Sequence, residues 1–280
     1  MPSTATVRTR LESSLGKHLS STLLLREKTA PLTVSTGVAP LDTLTGGLPR
    51  GGLSEITGPA SSGRTGVMLA ALAGATSRDE ACALVDASDN FDPASAAAAG
   101  VDLERLLWVR CGENDRSSLR NANAQRRIAL GRLEQVLKVT NLLLQGGGFG
   151  MVVLDLGDIP TESVRRVPLT SWFRFRRAVE PTATVLLLVE QEACAKTCAS
   201  LVVRLRRTAV CAYDSAPAAE TEFQGWKVLS RPEPAIPPTN MVSHATLLRG
   251  MQLHAEVMRS WTQRKPMHSV GANFELRAVW

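Results

Sequence analysis

The chain has 280 residues, of which 44% are hydrophobic, and this is enough to bury one large core with extensions. It contains no run of about 18 apolar residues, and residues 1–10 lack the apolar centre of a signal peptide, so we expect a soluble, cytoplasmic protein that binds no membrane. The five cysteines are scattered, which excludes a disulfide framework. The formal net charge of +6 favours a polyanionic partner, either DNA itself or a protein bound to DNA.

The first half of the chain combines a helix, several glycine turns and a phosphate-binding motif. Leucines at helical spacing predict an amphipathic helix within residues 8–28. Glycine turns then lead into a strand over residues 52–57, followed by the stretch GPASSGRT at residues 58–65 and a helix of small residues through Ala75. This stretch resembles the pattern GxxxxGK[ST], in which backbone amides converge on phosphates, the Lys reaches the β and γ phosphates and the hydroxyl binds Mg²⁺.

The loop departs from this pattern at one position, because Arg64 stands where the pattern has Lys. A guanidinium keeps the positive charge, but its larger planar fork does not place that charge where an ammonium group would. The candidate cofactors are ATP and Mg²⁺, and the residues leave open whether nucleotide binds or is hydrolysed. The residues predicted to bind the phosphates are Gly58, Ser61, Ser62, Gly63, Arg64 and Thr65.

Beyond the loop, strand-like and helical stretches alternate, which is typical of βαβ units in a parallel sheet. The predicted strands are 81–86, 106–109, 151–155 and 184–189, and the predicted helices are 94–99 and one that ends at Gly146. The strand over 151–155 ends in a carboxylate, as does the Walker B strand of P-loop folds, whose Asp holds the Mg²⁺ shell. Thr65 and Asp155 are therefore predicted to share a Mg²⁺ ion if nucleotide binds.

Residues 161–180 are rich in arginine and aromatic residues, and two interpretations stay open. Arginine and aromatic side chains together contact phosphates and stack on bases, which would suit single-stranded nucleic acid or a partner protein. Alternatively, Trp172, Phe175 and Val179 form a helix face that packs on the sheet, while the arginines lie in solvent. The candidate nucleic-acid or partner residues are Arg165, Arg166, Trp172, Arg174, Arg176 and Arg177.

The last third of the chain predicts further strands and then a tail. Strands are expected at 200–207, 209–213 and 225–229, and the proline-rich stretch 232–238 is typical of a stiff linker. A short helix is expected within residues 241–261. The apolar residues beyond the linker either fold back on the core or bind a partner, and we expect the second outcome because aromatic and arginine residues are common interface anchors.

The order of these motifs resembles that of the core domain of the RecA recombinases over about residues 32–230. The matching residues are Ser35-Thr36-Gly37, Leu41-Asp42, Gly47-Leu48-Pro49, Glu55-Ile56, Gly58-Pro59, Ser61-Ser62-Gly63, Asp86-Ala87, Asp92-Pro93 and Gly100-Val101-Asp102. The resemblance implies an α/β fold, a RecA-like P-loop core with a mostly parallel twisted sheet flanked by helices. The expected domains are an N-terminal helical segment (1–30), the core (31–230), and a proline-rich linker with a C-terminal interaction tail (231–280).

The chain also departs from that family where catalysis would occur. The Glu that activates water in RecA falls on Ser88, two residues after Asp86. A serine hydroxyl cannot accept a proton from water near neutral pH, so we assign no catalytic residue. Gln191 matches the glutamine that senses the γ phosphate, but the DNA-binding loop that follows it in RecA is shortened to residues 192–199.

These departures, together with the stretches 145–150 and 168–177, resemble the ImuA family. Its members are RecA-like proteins encoded with the polymerase homologue ImuB. The resemblance implies an accessory or adaptor protein of damage-induced mutagenesis and translesion DNA synthesis, with an ImuB-like protein and RecA as partners. Two alternatives stay open. One is an active DNA-dependent ATPase of the recombinase class, in which Asp89 replaces the missing Glu, and the other is a RecA-like regulator unrelated to DNA.

Overall fold

The structure is a computed structural model that describes residues 32–112, 122–212, 248–260 and 270–277. The helix expected within 8–28, the strand expected at 225–229 and the linker at 232–238 lie outside these ranges. The strands are β1 (Thr33–Val34), β2 (Leu48–Pro49), β3 (Leu53–Thr57), β4 (Cys82–Asp86), β5 (Leu106–Arg110), β6 (Met151–Asp155), β7 (Val185–Glu190), β8 (Leu201–Ala212), β9 (Leu248–Arg259) and β10 (Val270–Arg277). The α-helices are α1 (Ala39–Thr45), α2 (Arg64–Thr76), α3 (Pro93–Ala98), α4 (Ala122–Gly146), α5 (Thr161–Val164) and α6 (Leu169–Val179).

Eight of these strands form one sheet in the order β10-β9-β8-β3-β7-β6-β4-β5. The six strands from β8 to β5 are parallel, while β9 runs antiparallel to both β8 and β10. Parallel strands need crossover helices, and those helices cover both faces of the sheet. The predicted α/β fold with a mostly parallel sheet flanked by helices is confirmed.

Each face of the sheet has its own apolar core. On one face, α2 packs Val67, Met68, Ala71 and Leu72 against strand residues such as Leu187. On the other face, α4 and α6 cover the sheet with a second cluster that includes Val136, Trp172 and Phe175. The central strands are therefore buried on both faces, which explains why they occur in the sequence as short, continuous apolar runs.

The C-terminal segment differs from the prediction. Residues expected to form a helix within 241–261 form strand β9 instead, and β10 pairs with it. Leu253, Ala255 and Val257 alternate along β9 and are buried in the core. The expectation that this segment is a tail reserved for a partner is therefore wrong for residues 248–260 and 270–277, because burying these side chains in the sheet removes them from water.

Two further features of the fold bear on the earlier predictions. The strands expected at 200–207 and 209–213 are one strand, β8, with a register shift between Arg207 and Ala209 where it pairs with β9. Such an irregularity bends a strand without ending it. Within the described ranges, none of the helices has both the length and the apolar character needed to cross a membrane.

Candidate nucleotide-binding site

The phosphate-binding motif forms a turn between β3 and α2. Gly63 lies just before α2 with a φ of 85°, and the first turn of the helix has no side-chain cap. A Cβ atom on Gly63 would lie 2.3 Å from Cδ1 of Leu253 on β9, so glycine is required for both conformation and space. The uncapped amides at the start of a 13-residue helix are suited to binding an anion. This backbone fits the phosphates of a nucleotide.

Arg64 begins α2, and its guanidinium points into the protein. The residue is 8% exposed, its Nη2 lies 3.5 Å from the carbonyl oxygen of Gly157, and its Nη1 is buried with no acceptor among the described residues. Burial lowers the pKa of this guanidinium, while the nearby carboxylates of Asp155, Asp158 and Glu190 act in the opposite direction. Arg64 therefore carries its charge into an acidic, largely dry site.

Asp155 ends β6 at the carboxyl edge of the sheet, as the Walker B comparison predicts. Its Oδ1 accepts a hydrogen bond of 2.9 Å from the amide of Gly157. Burial raises the pKa of Asp155 to about 6, and the charges of Asp86 and Asp158 act in the same direction. Thr65, the other residue predicted to hold Mg²⁺, is exposed on α2.

The fit to Mg²⁺ is poor at this carboxylate. A Cβ atom on Gly157 would lie 3.1 Å from Oδ1 of Asp155 and 3.2 Å from Nη1 of Arg64, so the two groups face the same small space. An ion bound to this oxygen would lie beside a guanidinium that carries the same sign of charge. The residues therefore fit ATP phosphates better than they fit the metal.

Position 88, where a catalytic Glu would be expected, carries no carboxylate. The amides of Ser88 and Asp89 both donate to Oδ1 of Asp86, at 3.0 and 2.8 Å. Asp89 has a φ of 60° and its carboxylate binds the guanidinium of Arg110 through two hydrogen bonds. That hydrogen bonding lowers the pKa of Asp89, which makes it a weaker base. Nothing about this geometry favours Asp89 as a substitute for the missing Glu.

Gln191 lies where a phosphate sensor would be expected, directly after β7. Its Nε2 donates to the carbonyl oxygen of Gly157 at 2.9 Å, and its Oε1 lies 3.5 Å from Oγ1 of Thr161. Because Arg64 also points to the carbonyl oxygen of Gly157, one peptide group links the loop, the Walker B strand and Gln191. Sequence reasoning missed Gly157, since its role depends on how three separate strands align.

The arginine-rich segment is divided between the core and the surface. Trp172 and Phe175 are buried, which confirms the interpretation of α6 as a helix packed on the sheet. Arg165 forms an ion pair with Glu192, and Nη1 of Arg176 lies 3.5 Å from the carbonyl oxygen of Thr197. Among the arginines and aromatic residues of this segment, those exposed to solvent are Arg165, Arg166, Phe173, Arg174 and Arg177.

A pair of buried carboxylates lies beneath this region and was not predicted. Glu55 and Glu190 lie on the neighbouring strands β3 and β7 and are at most 1% exposed. Oε1 of Glu55 accepts hydrogen bonds from the amides of Cys194 and Ala195. Burial raises the pKa of Glu190 well above its usual value, and the charge of Glu55 adds to this effect. The available signal was a Glu in each of two strands that are buried along their whole length.

A cavity of about 460 Å³ opens beside the phosphate-binding loop. The residues that line it come from the end of β3, from the shortened loop after β7 and from β8. Its walls are formed by Thr57, Gly58, Pro59, Gln191, Glu192, Ala193, Arg204 and Arg206. Gln191, the predicted phosphate sensor, therefore lines this cavity together with Arg204 and Arg206, two arginines that the predicted site did not include.

Three features define the P-loop class of α/β proteins. They are a strand, a glycine loop that leads into an uncapped helix, and an acidic residue at the end of another strand of the same parallel sheet. In the comparison with protein families, residues 5–123 match the family model of the RecA N-terminal domain. Over these residues the chain is similar to that domain.

Individual relatives are similar to about half of the chain. The chain is 35% identical over 149 residues to Protein RecA of Allorhizobium ampelinum, covering 52% of this chain and 36% of the relative. It is 34% identical over 152 residues to Protein RecA of Deinococcus radiodurans, covering 54% and 37%. With Protein RecA of Rickettsia canadensis the identity is 33% over 148 residues, covering 52% and 38%. The similarity therefore spans little more than a third of each relative.

Proposed function

We propose that this RecA-like chain is an accessory or adaptor protein of damage-induced mutagenesis and translesion DNA synthesis, with a degenerate ATPase site. Its partners would be an ImuB-like polymerase homologue and RecA, and it would reach DNA directly or through them. The observation that carries the proposal is the site itself, which keeps the phosphate-binding backbone but has Ser88 where a general base is needed. A protein of this kind would keep the fold that its partners bind but would not hydrolyse ATP at an enzymatic rate.

The nucleotide, in this proposal, is a ligand and not a substrate. The amides of Gly63 and Thr65 would contact its phosphates, with Arg64 supplying positive charge from the side chain. Gln191 would respond to the terminal phosphate, because its amide group already lies on the peptide that Arg64 reaches. Binding could thereby stabilise the surface around residues 192–199 without any chemical step.

The experiment that tests the adaptor role is a pull-down of the full chain with the ImuB-like protein encoded beside it. We expect a stable complex, and we expect it to weaken when Phe173 and Arg177 are replaced together by Asp and Glu. A matched control replaces Met258 and Lys138, which are also exposed, in the same way. A chain that captures neither the ImuB-like protein nor RecA would contradict the proposal.

A second candidate function is that of an active DNA-dependent ATPase of the recombinase class. It is favoured by the similarity to proteins named RecA over about half of the chain, and by the match of residues 5–123, which include the phosphate-binding loop, to the RecA N-terminal domain. ATP turnover measured with and without single-stranded DNA separates the two functions. We expect turnover about 10² to 10⁴ below that of an enzyme with an intact general base. Turnover stimulated by DNA to an ordinary enzymatic rate would support the second function instead.

A further inference from the structure

We propose that the phosphate-binding loop takes up a nucleoside triphosphate without a metal ion, and that the guanidinium of Arg64 supplies the charge that Mg²⁺ supplies in other P-loops. The inference rests on the proposed function only in placing a nucleotide at this loop. It adds a property, independence from divalent cations, that a degenerate ATPase site does not require.

The first argument comes from unsatisfied donors in the loop. Nη1 of Arg64 and Oγ of Ser62 are buried and have no hydrogen-bond partner among the described residues. A buried donor without an acceptor is unfavourable, and here two such atoms lie in one phosphate-binding motif. A phosphate oxygen would satisfy Nη1, because guanidinium groups bind phosphate through parallel hydrogen bonds. Arg64 is 8% exposed as a whole residue and its Nη1 is buried, so bulk water is a poor alternative partner.

The second argument concerns the space at the end of β6. Nη1 of Arg64 and Oδ1 of Asp155 each lie within about 3.2 Å of the position that a Cβ atom on Gly157 would occupy. A divalent ion on that oxygen would therefore have a guanidinium as its neighbour. Both cations would then act on the same carboxylate, and like charges in one small space repel each other. The guanidinium of Arg64, which belongs to the chain itself, already supplies a positive charge near these acidic groups.

The third argument is that the acidic groups near Arg64 already accept hydrogen bonds from neutral donors, so they have partners without a metal ion. Asp155 accepts one from the amide of Gly157 at 2.9 Å, and Asp158 accepts one from the side chain of Asn90 at 2.7 Å. Glu190 accepts one of 3.3 Å from the amide of Cys194. Neutral donors thus partly compensate each carboxylate that lies near Arg64. A phosphate group approaching Arg64 would thus meet carboxyl groups that each already accept at least one hydrogen bond.

The test is isothermal titration of the full chain with a non-hydrolysable ATP analogue, in buffer with Mg²⁺ and in buffer with EDTA. For the unaltered chain we expect the same dissociation constant in both buffers, within about threefold. For Arg64→Lys we expect weaker binding in EDTA that improves about tenfold or more when Mg²⁺ is added, because a smaller cation leaves room for the metal. Asp155→Ala should leave binding in EDTA intact or improve it.

Controls and outcomes separate this inference from the proposed function. Arg105→Lys, at an exposed arginine that pairs with Asp79 and Asp102, should behave as the unaltered chain in both buffers. A tenfold or greater gain in affinity on adding Mg²⁺ to the unaltered chain would overturn the inference, as would a lack of binding in both buffers. Either result leaves the pull-down with the ImuB-like protein unaffected, and a failed pull-down leaves the metal-independent titration unaffected.

Discussion

Asp86 shows how one buried residue shapes the neighbourhood of the site. Its Oδ1 accepts hydrogen bonds from the amides of Ser88 and Asp89, and its Oδ2 accepts them from the amide of Phe91 and the indole of Trp108. These four donors hold the turn after β4 in one conformation. The carboxylate is therefore committed to structure and is not available to activate water.

Replacing Asp86 by Ala should lower the free energy of unfolding by about 2 to 4 kcal/mol, because several buried donors would lose a charged acceptor at once. Urea unfolding followed by circular dichroism measures this change. The matched control is Asp92→Ala, which removes an exposed helix cap that accepts hydrogen bonds from the amides of Ala94 and Ser95, and should cost clearly less. Equal losses in the two variants would show that Asp86 is not a structural anchor.

Glu190 leads to a prediction about pH. Its pKa is raised by burial and by the charge of Glu55, so the folded chain holds a proton that the unfolded chain releases above pH 4.5. The free energy of unfolding should therefore fall as pH rises from 4.5 towards the raised pKa. Glu190→Gln cannot ionise and should remove this part of the pH dependence, making the variant more stable than the unaltered chain at about pH 8.

Thermal melts between about pH 5 and pH 8 provide the measurement. Glu192→Gln is the control, because this exposed carboxylate pairs with Arg165 at the surface and should leave the slope unchanged. If Glu190→Gln kept the slope of the unaltered chain, the raised pKa of Glu190 would be ruled out as its cause.

At the scale of whole elements, the sequence predicted the parallel strands well and the C-terminal hairpin poorly. The short apolar runs that became β4, β6 and β7 are buried on both faces, and this environment leaves a clear compositional signal. In β9, Leu253, Ala255 and Val257 alternate as a strand requires, but nearby leucines and methionines also fit a helical spacing. Short apolar stretches are ambiguous in this way until their neighbours in space are known.

The candidate site was predictable in part, for a related reason. The phosphate-binding loop and Asp155 belong to local motifs, and the sequence alone identified them. The peptide of Gly157, which both Arg64 and Gln191 reach, depends on the alignment of β3, β6 and β7. No local pattern records that alignment. The direction of the Arg64 side chain therefore had to come from the structure.

The hairpin of β9 and β10 should contribute strongly to stability. Leu253 is fully buried and its Cδ1 fills the space beside Gly63 at the start of α2. Leu253→Ala should lower the free energy of unfolding by about 2 to 5 kcal/mol, through lost burial and a cavity against the loop. Met258→Ala, at a side chain that is 43% exposed on the same strand, should change it by less than about 0.5 kcal/mol. Urea unfolding of the two variants provides the measurement. A Leu253→Ala variant as stable as the unaltered chain would contradict the packing of β9.

At the scale of the whole molecule, the basic residues behind the net charge of +6 do not all contribute to an exposed basic surface. Several arginines are already engaged inside the chain, such as Arg50 and Arg78 with Glu80. The surface of α6 differs, because Arg174 and Arg177 are exposed and flank Phe173, which is 41% exposed. A basic surface with an exposed aromatic ring combines the two features that bind single-stranded nucleic acid.

We therefore expect single-stranded DNA to bind the full chain with an affinity that falls steeply as salt rises, because phosphate contacts release counterions. Fluorescence anisotropy of a labelled oligonucleotide over a range of salt concentrations gives the slope of that dependence. Replacing Arg174 and Arg177 by Ser should reduce the slope by about 1.4, since each phosphate contact on a single strand contributes about 0.7. The control replaces Arg105 and Lys138 by Ser, which lowers the net charge by the same amount at other exposed sites and should leave the slope nearly unchanged. Equal slopes in both double variants would mean that only the overall charge matters. Unchanged DNA binding together with a lost pull-down would instead assign this face of α6 to the protein partner.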